Sequence, residues 1–153
     1  MKRRVSPQKR LKHIRAIELE RRRVDVVLVI SAVVFAIEFK VGEKNFLSTA
    51  IDQVWDYALD LKNFHETSHT PVLAPVLIAT EASRDLSDLK FCLDADALIS
   101  PPVRTNGVKL CSAIDSILEF VTAEAVDCDS WDSGRYAPTP TCGGRRAAKA
   151  RAW

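Results

Sequence analysis

No uninterrupted apolar run of about 18 residues, the length a membrane-spanning helix needs, occurs in this chain of 153 residues. The nearest approach, residues 24–39, is broken by Asp25 and Glu38, so no membrane partner is expected. No cysteine pair has CxxC spacing. Cys92, Cys111, Cys128 and Cys142 are widely separated, which argues against an ordinary zinc site or an iron–sulfur cluster, and Cys92 and Cys111 read as core thiols. The phosphate loop GxxxxGK[ST] and the dinucleotide fingerprint GxGxxG are missing, as is a nucleophile elbow. ATPase activity is therefore not expected from this chain. There are no internal repeats. The basic N-terminus is followed too late by an apolar stretch, with no cleavage signature, to read as a signal peptide. A cytoplasmic location is the expectation.

What is present fits one domain: 153 residues, 47% of them apolar, an ordinary globular balance. The net charge of +2 hides an uneven distribution. Residues 1–24 hold ten Lys or Arg against two Glu, residues 25–142 hold eight basic and eighteen acidic residues, and the last eleven add four basic groups and no acid. Basic ends can touch a phosphate backbone or stand as solvated tails. An acidic body needs metal ions if nucleic acid is to approach it.

The chain is organised around residues 24–63. Residues 24–30 and 33–40 are rich in Val, Ile and Phe, which favour strands. If Ser31 and Ala32 form a two-residue connection, paired residues sum to 63. Val29 then faces Val34, Val27 faces Ala36, and Asp25 faces Glu38. Opposed side chains lie with Cβ atoms about 5 Å apart, close enough for both carboxylates to hold one divalent ion. Lys40, two residues past Glu38, shares its side. The other face takes Val33, Phe35, Ile37 and Phe39 as a core set. A slip of one residue would separate the acids, and Ser-Ala is not the Asn-Gly of a tight hairpin. The alternative reading makes Asp25 a strand start and Glu38 and Lys40 an exposed edge.

A helix is predicted over about residues 46–63, capped at Asn45 or Ser48. Leu47, Ile51, Val54, Ala58 and Leu61 form its apolar stripe. Gln53 and Tyr57, four apart, can bond to phosphate or position an acidic ligand. They can equally be an ordinary helix flank. Trp55 packs at or near the core.

Upstream, residues 13–20 read as a short helix or a leading strand. Downstream, His65 and His69 are four apart, a spacing that could serve a metal site, but the segment does not read as helix and residues 65–69 read as a surface loop. An apolar strand within 72–80, centred on 76–79, is expected to pair in parallel through the helical crossover. Residues 89–93 and 97–99 suggest short strands, ended by Pro101-Pro102. Residues 110–121 form an amphipathic segment burying Ile114, Leu118 and Val121. Periodicity is lost from Asp127, residues 136–141 read as an extended linker, and residues 142–153 as a tail.

Asp25, twelve intervening residues and Glu38-Phe39-Lys40 resemble the core motif of the PD-(D/E)xK nuclease superfamily. Gln53-Val-Trp-Asp-Tyr57 resembles the QxxxY motif of its RecB-like branch. More closely, VDVVLV, VVFAIEFKVG and AIDQVWDYALDLKNFHE resemble the N-terminal region of bacterial DUF2075, Schlafen-like DNA/RNA helicase proteins, a likeness spanning about residues 24–141. The resemblance implies an α/β fold with a restriction-endonuclease-like core, a central mixed β-sheet flanked by helices. It implies a basic segment at 1–23, a nuclease-like domain at 24–126, and a linker with a basic tail at 127–153. Asp25 and Glu38 would bind Mg²⁺ or Mn²⁺, Lys40 would be the catalytic lysine, and Gln53 and Tyr57 would support substrate and site geometry.

The implied function is metal-dependent cleavage of nucleic-acid phosphodiester bonds, with DNA the expected substrate, RNA open, and a helicase or ATPase a further expected partner. The alternative is a catalytically weak or inactive nucleic-acid-binding or structural module, a truncated relative of such a helicase. The family's ATPase domain has no counterpart here, and GGRRAAKARAW resembles no family segment, so a premature end or altered reading frame is expected. Related nucleases carry a further glutamate on an N-terminal helix. Glu18 and Glu20 are near in sequence and are not assigned that role.

Overall fold

The computed structural model describes residues 13–19, 22–83, 93 and 98–137, with side chains from Val24 onward. Its element order is β1 (His13–Leu19), β2 (Arg22–Ile30), β3 (Val33–Lys40), α1 (Ser48–Phe64), β4 (Val72–Ala79), β5 (Val103–Thr105), α2 (Leu110–Phe120) and α3 (Cys128–Asp132). A 3-10 turn, Glu66–Ser68, follows α1. The five strands form one sheet in sequential order. β1, β2 and β3 pair antiparallel, while β3–β4 and β4–β5 are parallel. The chain is thus mixed α/β, with a mixed sheet flanked by helices. Of the two readings open for residues 13–20, the strand is the one adopted.

β2 and β3 pair from Val26↔Ile37 to Ile30↔Val33, the sum-63 register. Ser31 makes the turn possible by adopting φ 54°; a positive φ lets a two-residue connection follow the strand twist. β4 is buried along its whole length, as a central strand covered on both faces must be. Its register with β3 runs from Val33↔Val72 to Lys40↔Ala79, which is the expected parallel crossover through α1.

Pro75 sits inside this central strand and lacks a donor. Leu73 sends its N–H to Leu98 O, so Pro75, two residues on, faces the same neighbour. There the chain passes through Pro101-Pro102, between the Leu73↔Ile99 bridge and the β4–β5 pairs that begin at Val76↔Val103. No ladder bond is required at that point. Pairing resumes after the prolines as β5, where the sequence suggested an end. A strand at 89–93 falls outside the described residues except for Leu93.

Helices cover both faces. On one, Val27, Val29, Val34, Ala36 and Leu73 pack with Tyr57, Ala58 and Leu61 of α1 and Cys128 and Trp131 of α3. On the other, Val33, Phe35, Ile37, Ala74, Val76, Ile78 and Val103 pack with Ala113 and Ile117 of α2. Ile114, Leu118 and Val121 are only partly buried against this cluster, so the buried stripe of α2 is rotated from the one expected. Phe39 is 37% exposed and Leu47 50% exposed, which removes both from the predicted core. Leu47, rather than Asn45 or Ser48, is the N-cap of α1, without a side-chain cap bond. Cys111 is exposed, not a core thiol, and Cys128 is buried; Cys92 and Cys142 lie outside the described residues.

Residues 127–137, read from sequence as the start of a linker, fold back onto the body. Asp127 caps α3 by accepting from Ser130 N, Trp131 is almost wholly buried, and Tyr136 bridges to His65.

Candidate functional site

Four of the five residues singled out in the sequence meet at the C-terminal end of β3. Glu38 and Lys40 are two apart on a strand and so share a face, and α1, crossing that face, lowers Gln53 and Tyr57 onto them. Lys40 Nζ lies 2.8 Å from Glu38 Oε1 and 3.0 Å from Gln53 Oε1. Gln53 Nε2 donates to Glu38 Oε1 at 3.0 Å and also to the Tyr57 hydroxyl. The glutamine side chain therefore uses its carbonyl and both amide hydrogens within this network, which fixes its orientation. Tyr57 is buried in the α1-side core, so the chain of bonds is anchored in the core at one end. It reaches partly exposed Lys40 at the other.

Glu38 is 5% exposed. Its Oε1 accepts two donors, and its Oε2 has no hydrogen-bond partner among the described residues. A buried carboxylate oxygen without a donor is costly, and a cation is one group that relieves it.

Asp25 is placed differently from the sequence reading. The β1–β2 register shifts between Arg15↔Val27 and Ile17↔Val24, so two residues of β2, Asp25 and Val26, oppose one of β1. This is a β-bulge. The β2–β3 pairs stop at Val26↔Ile37. Beyond the bulge Val24 joins Val27 and Val29 in the α1-side core, the face on which the unbroken alternation put Asp25. Asp25 is exposed, and its Oδ2 accepts the backbone N–H of Phe39 at 2.8 Å. The expected Asp25–Glu38 cross-strand pair is thereby replaced by a side-chain bond that closes the frayed end of the hairpin. No sequence signal marks the bulge, because Val24, Val26, Val27 and Leu28 suit either face.

The donor set suits a hard divalent cation in part. Mg²⁺ keeps several waters and commonly uses one or two carboxylates. Glu38 supplies a bare buried oxygen; Asp25 is bonded through Oδ2 to the N–H of Phe39, the residue after Glu38, and its Oδ1 lies outside that bond. No group of three or more His, Cys, Asp or Glu capable of holding a metal occurs among the described residues.

His65, expected in a surface loop, is instead buried. Its Nδ1 lies 2.7 Å from Ser68 Oγ, and its ring packs on Trp131 with centroids 4.8 Å apart. The pattern His65-Glu-Thr-Ser68 carries no helical or strand period, so nothing in sequence revealed this. Among the described residues, no helix is long and apolar enough to cross a membrane.

Comparison of the chain with protein-family models, with curated proteins and with solved structures finds no match.

Proposed function

We propose that the chain is a metal-dependent nuclease-like domain of restriction-endonuclease-like architecture that cleaves nucleic-acid phosphodiester bonds, with DNA as the expected substrate. The observation supporting this reading is the Glu38–Lys40–Gln53–Tyr57 network with one buried glutamate oxygen left bare. It lies at the C-terminal ends of the parallel strands β3 and β4, the end at which open α/β sheets bind ligands.

In this reading Glu38 would hold the ion through its unpartnered Oε2, and Asp25 would reach it through the oxygen that does not accept the Phe39 N–H. A bound Mg²⁺ or Mn²⁺ supplies charge neutralisation on the phosphate and lowers the pKa of a coordinated water. Lys40 stabilises negative charge on the phosphoryl oxygens, and its ammonium is held for that purpose by Glu38 and Gln53. Gln53 orients both charged groups, and Tyr57 orients Gln53.

The test is cleavage of labelled single- and double-stranded DNA with Mg²⁺, Mn²⁺ or EDTA. Cutting is expected with metal, abolished by EDTA, and lost in Lys40→Ala and Asp25→Ala. Folded wild type that cuts neither DNA with either metal would contradict the proposal.

A second reading, a weakly active or inactive nucleic-acid-binding module that serves a helicase, is favoured by one observation. Asp25 is engaged by the Phe39 N–H rather than paired across from Glu38. Metal affinity without turnover would select it.

A further inference from the structure

The far end of the molecule holds a second polar cluster that the proposed chemistry does not use. Trp131 Nε1 lies 3.0 Å from Ser68 Oγ, and Ser68 Oγ lies 2.7 Å from His65 Nδ1. Ser68 is fully buried and His65 nearly so. Indole N–H is a donor only, so Ser68 Oγ accepts from Trp131. The serine hydrogen then needs an acceptor of its own, and the one in reach is His65 Nδ1. The chain therefore has a direction, Trp131 to Ser68 to His65, and it requires an unprotonated Nδ1.

Around this chain the segment 126–137 is clamped to the body. Thr67 Oγ1 donates to Trp131 O at 2.9 Å. Glu66 N donates to Arg135 O at 3.0 Å, Ala137 N to Phe64 O at 2.9 Å, and Val126 N to Ser31 O at 2.7 Å. Phe64 and Tyr136 meet edge to face with centroids 6.5 Å apart.

We propose that His65 is the pin of a pH-sensitive latch holding α3 and residues 133–137 against the sheet, released when Nδ1 takes a proton. A protonated Nδ1 must donate. Ser68 Oγ can receive that hydrogen, but its own then has no acceptor in a fully buried site. Thr67 Oγ1, at 3.4 Å from Nδ1, gives its hydrogen to Trp131 O and keeps lone pairs that could accept from a protonated Nδ1, but it is not hydrogen-bonded to Ser68, whose own hydrogen would stay without an acceptor.

The charged groups around the imidazole act in both directions. Burial disfavours the imidazolium most and His69 adds to this, while the Gly134 backbone, Asp132 and Glu66 favour it; the net effect lowers the pKa from its ordinary 6.5. Lys62, on the last turn of α1, is turned to His69 O and Pro71 O. With the latched pKa below the free value, the open form binds more protons. Latch stability is therefore complete above about pH 6.5 and is lost as the pH falls below it. One proton allows the open fraction to rise by at most about tenfold per pH unit.

The experiment uses the full chain with 5-fluorotryptophan, the Trp131 ¹⁹F signal being assigned by Trp131→Phe. Between pH 8 and 5 the Trp131 signal is expected to move toward a solvent-exposed position while Trp55 stays fixed. His65→Gln is expected to abolish the movement, and His69→Gln to preserve it. A pH-independent Trp131 signal, a transition that survives His65→Gln, or Trp55 and Trp131 changing together would overturn the proposal. Should His65→Gln fail to fold, long-range ¹H–¹⁵N spectra of the wild-type imidazole at pH 8 decide. A bare Nδ1 is expected, and a protonated Nδ1 would overturn the latch.

Discussion

Two residues show how strongly local chemistry constrains this chain. Glu38 is a carboxylate buried among apolar strands, tolerable because Lys40 and Gln53 satisfy one of its oxygens. Gly134 is constrained from the opposite direction. A Cβ there would lie 2.1 Å from Thr67 Oγ1 and 3.1 Å from His65 Nε2, and Thr67 is held by its bond to the Trp131 carbonyl. Gly134→Ala is expected to destabilise the fold by about 1–3 kcal/mol, the cost of overpacking a filled site, read as a lower urea midpoint at unchanged slope. An unchanged midpoint would show that the α3 segment yields freely. At this scale the sequence was informative where spacing encodes direction: i, i+2 on β3 and i, i+4 on α1 unite Glu38, Lys40, Gln53 and Tyr57. It was silent on His65, Ser68 and Trp131, whose meeting depends on tertiary contact between positions 63 residues apart.

At the level of elements, the hairpin and α1 were legible because their periods are unambiguous, whereas the bulge at Asp25 and Val26 was not. A run of valines tolerates burial on both faces, so one extra residue changes the facing of Asp25 without leaving a polar residue out of place. Asp25 closes the hairpin through the Phe39 N–H, and the metal role proposed for it is separable from that bond. Asn keeps an oxygen able to accept the Phe39 N–H but loses the charge. Asp25→Asn is therefore expected to keep stability within about 0.5 kcal/mol, as at an ordinary exposed site. Metal-dependent cleavage should fall by about 100-fold or more, since losing a charged ligand weakens the hold on an ion that itself supplies several kcal/mol of charge stabilisation. Equal loss of stability and cleavage would mean that Asp25 only closes the hairpin. The short β5 was missed for a related reason. Pro101-Pro102 reads as a terminator, but here it fills the gap opposite Pro75, where no donor is called for.

Across the whole molecule, helices cover both faces of one mixed sheet, and a separate polar cluster sits at each end of it. The Glu38 network lies where β3 and β4 end. The His65 cluster lies where they begin, roughly 20 Å away by strand rise. Acid release of the latch should therefore leave the network's own bonds in place. The general architecture was readable from alternating strand and helix patterns, and the packing of residues 127–137 was not, since α3 spans five residues and has too few turns to show a period. In the proposed function the bare oxygen of Glu38 anchors a divalent cation. Calorimetric titration of Mn²⁺ into the folded wild type and Glu38→Gln tests it most directly. Saturable one-site binding in the wild type, absent in Glu38→Gln, is the predicted result. No binding by the wild type, or equal binding by both proteins, would contradict it.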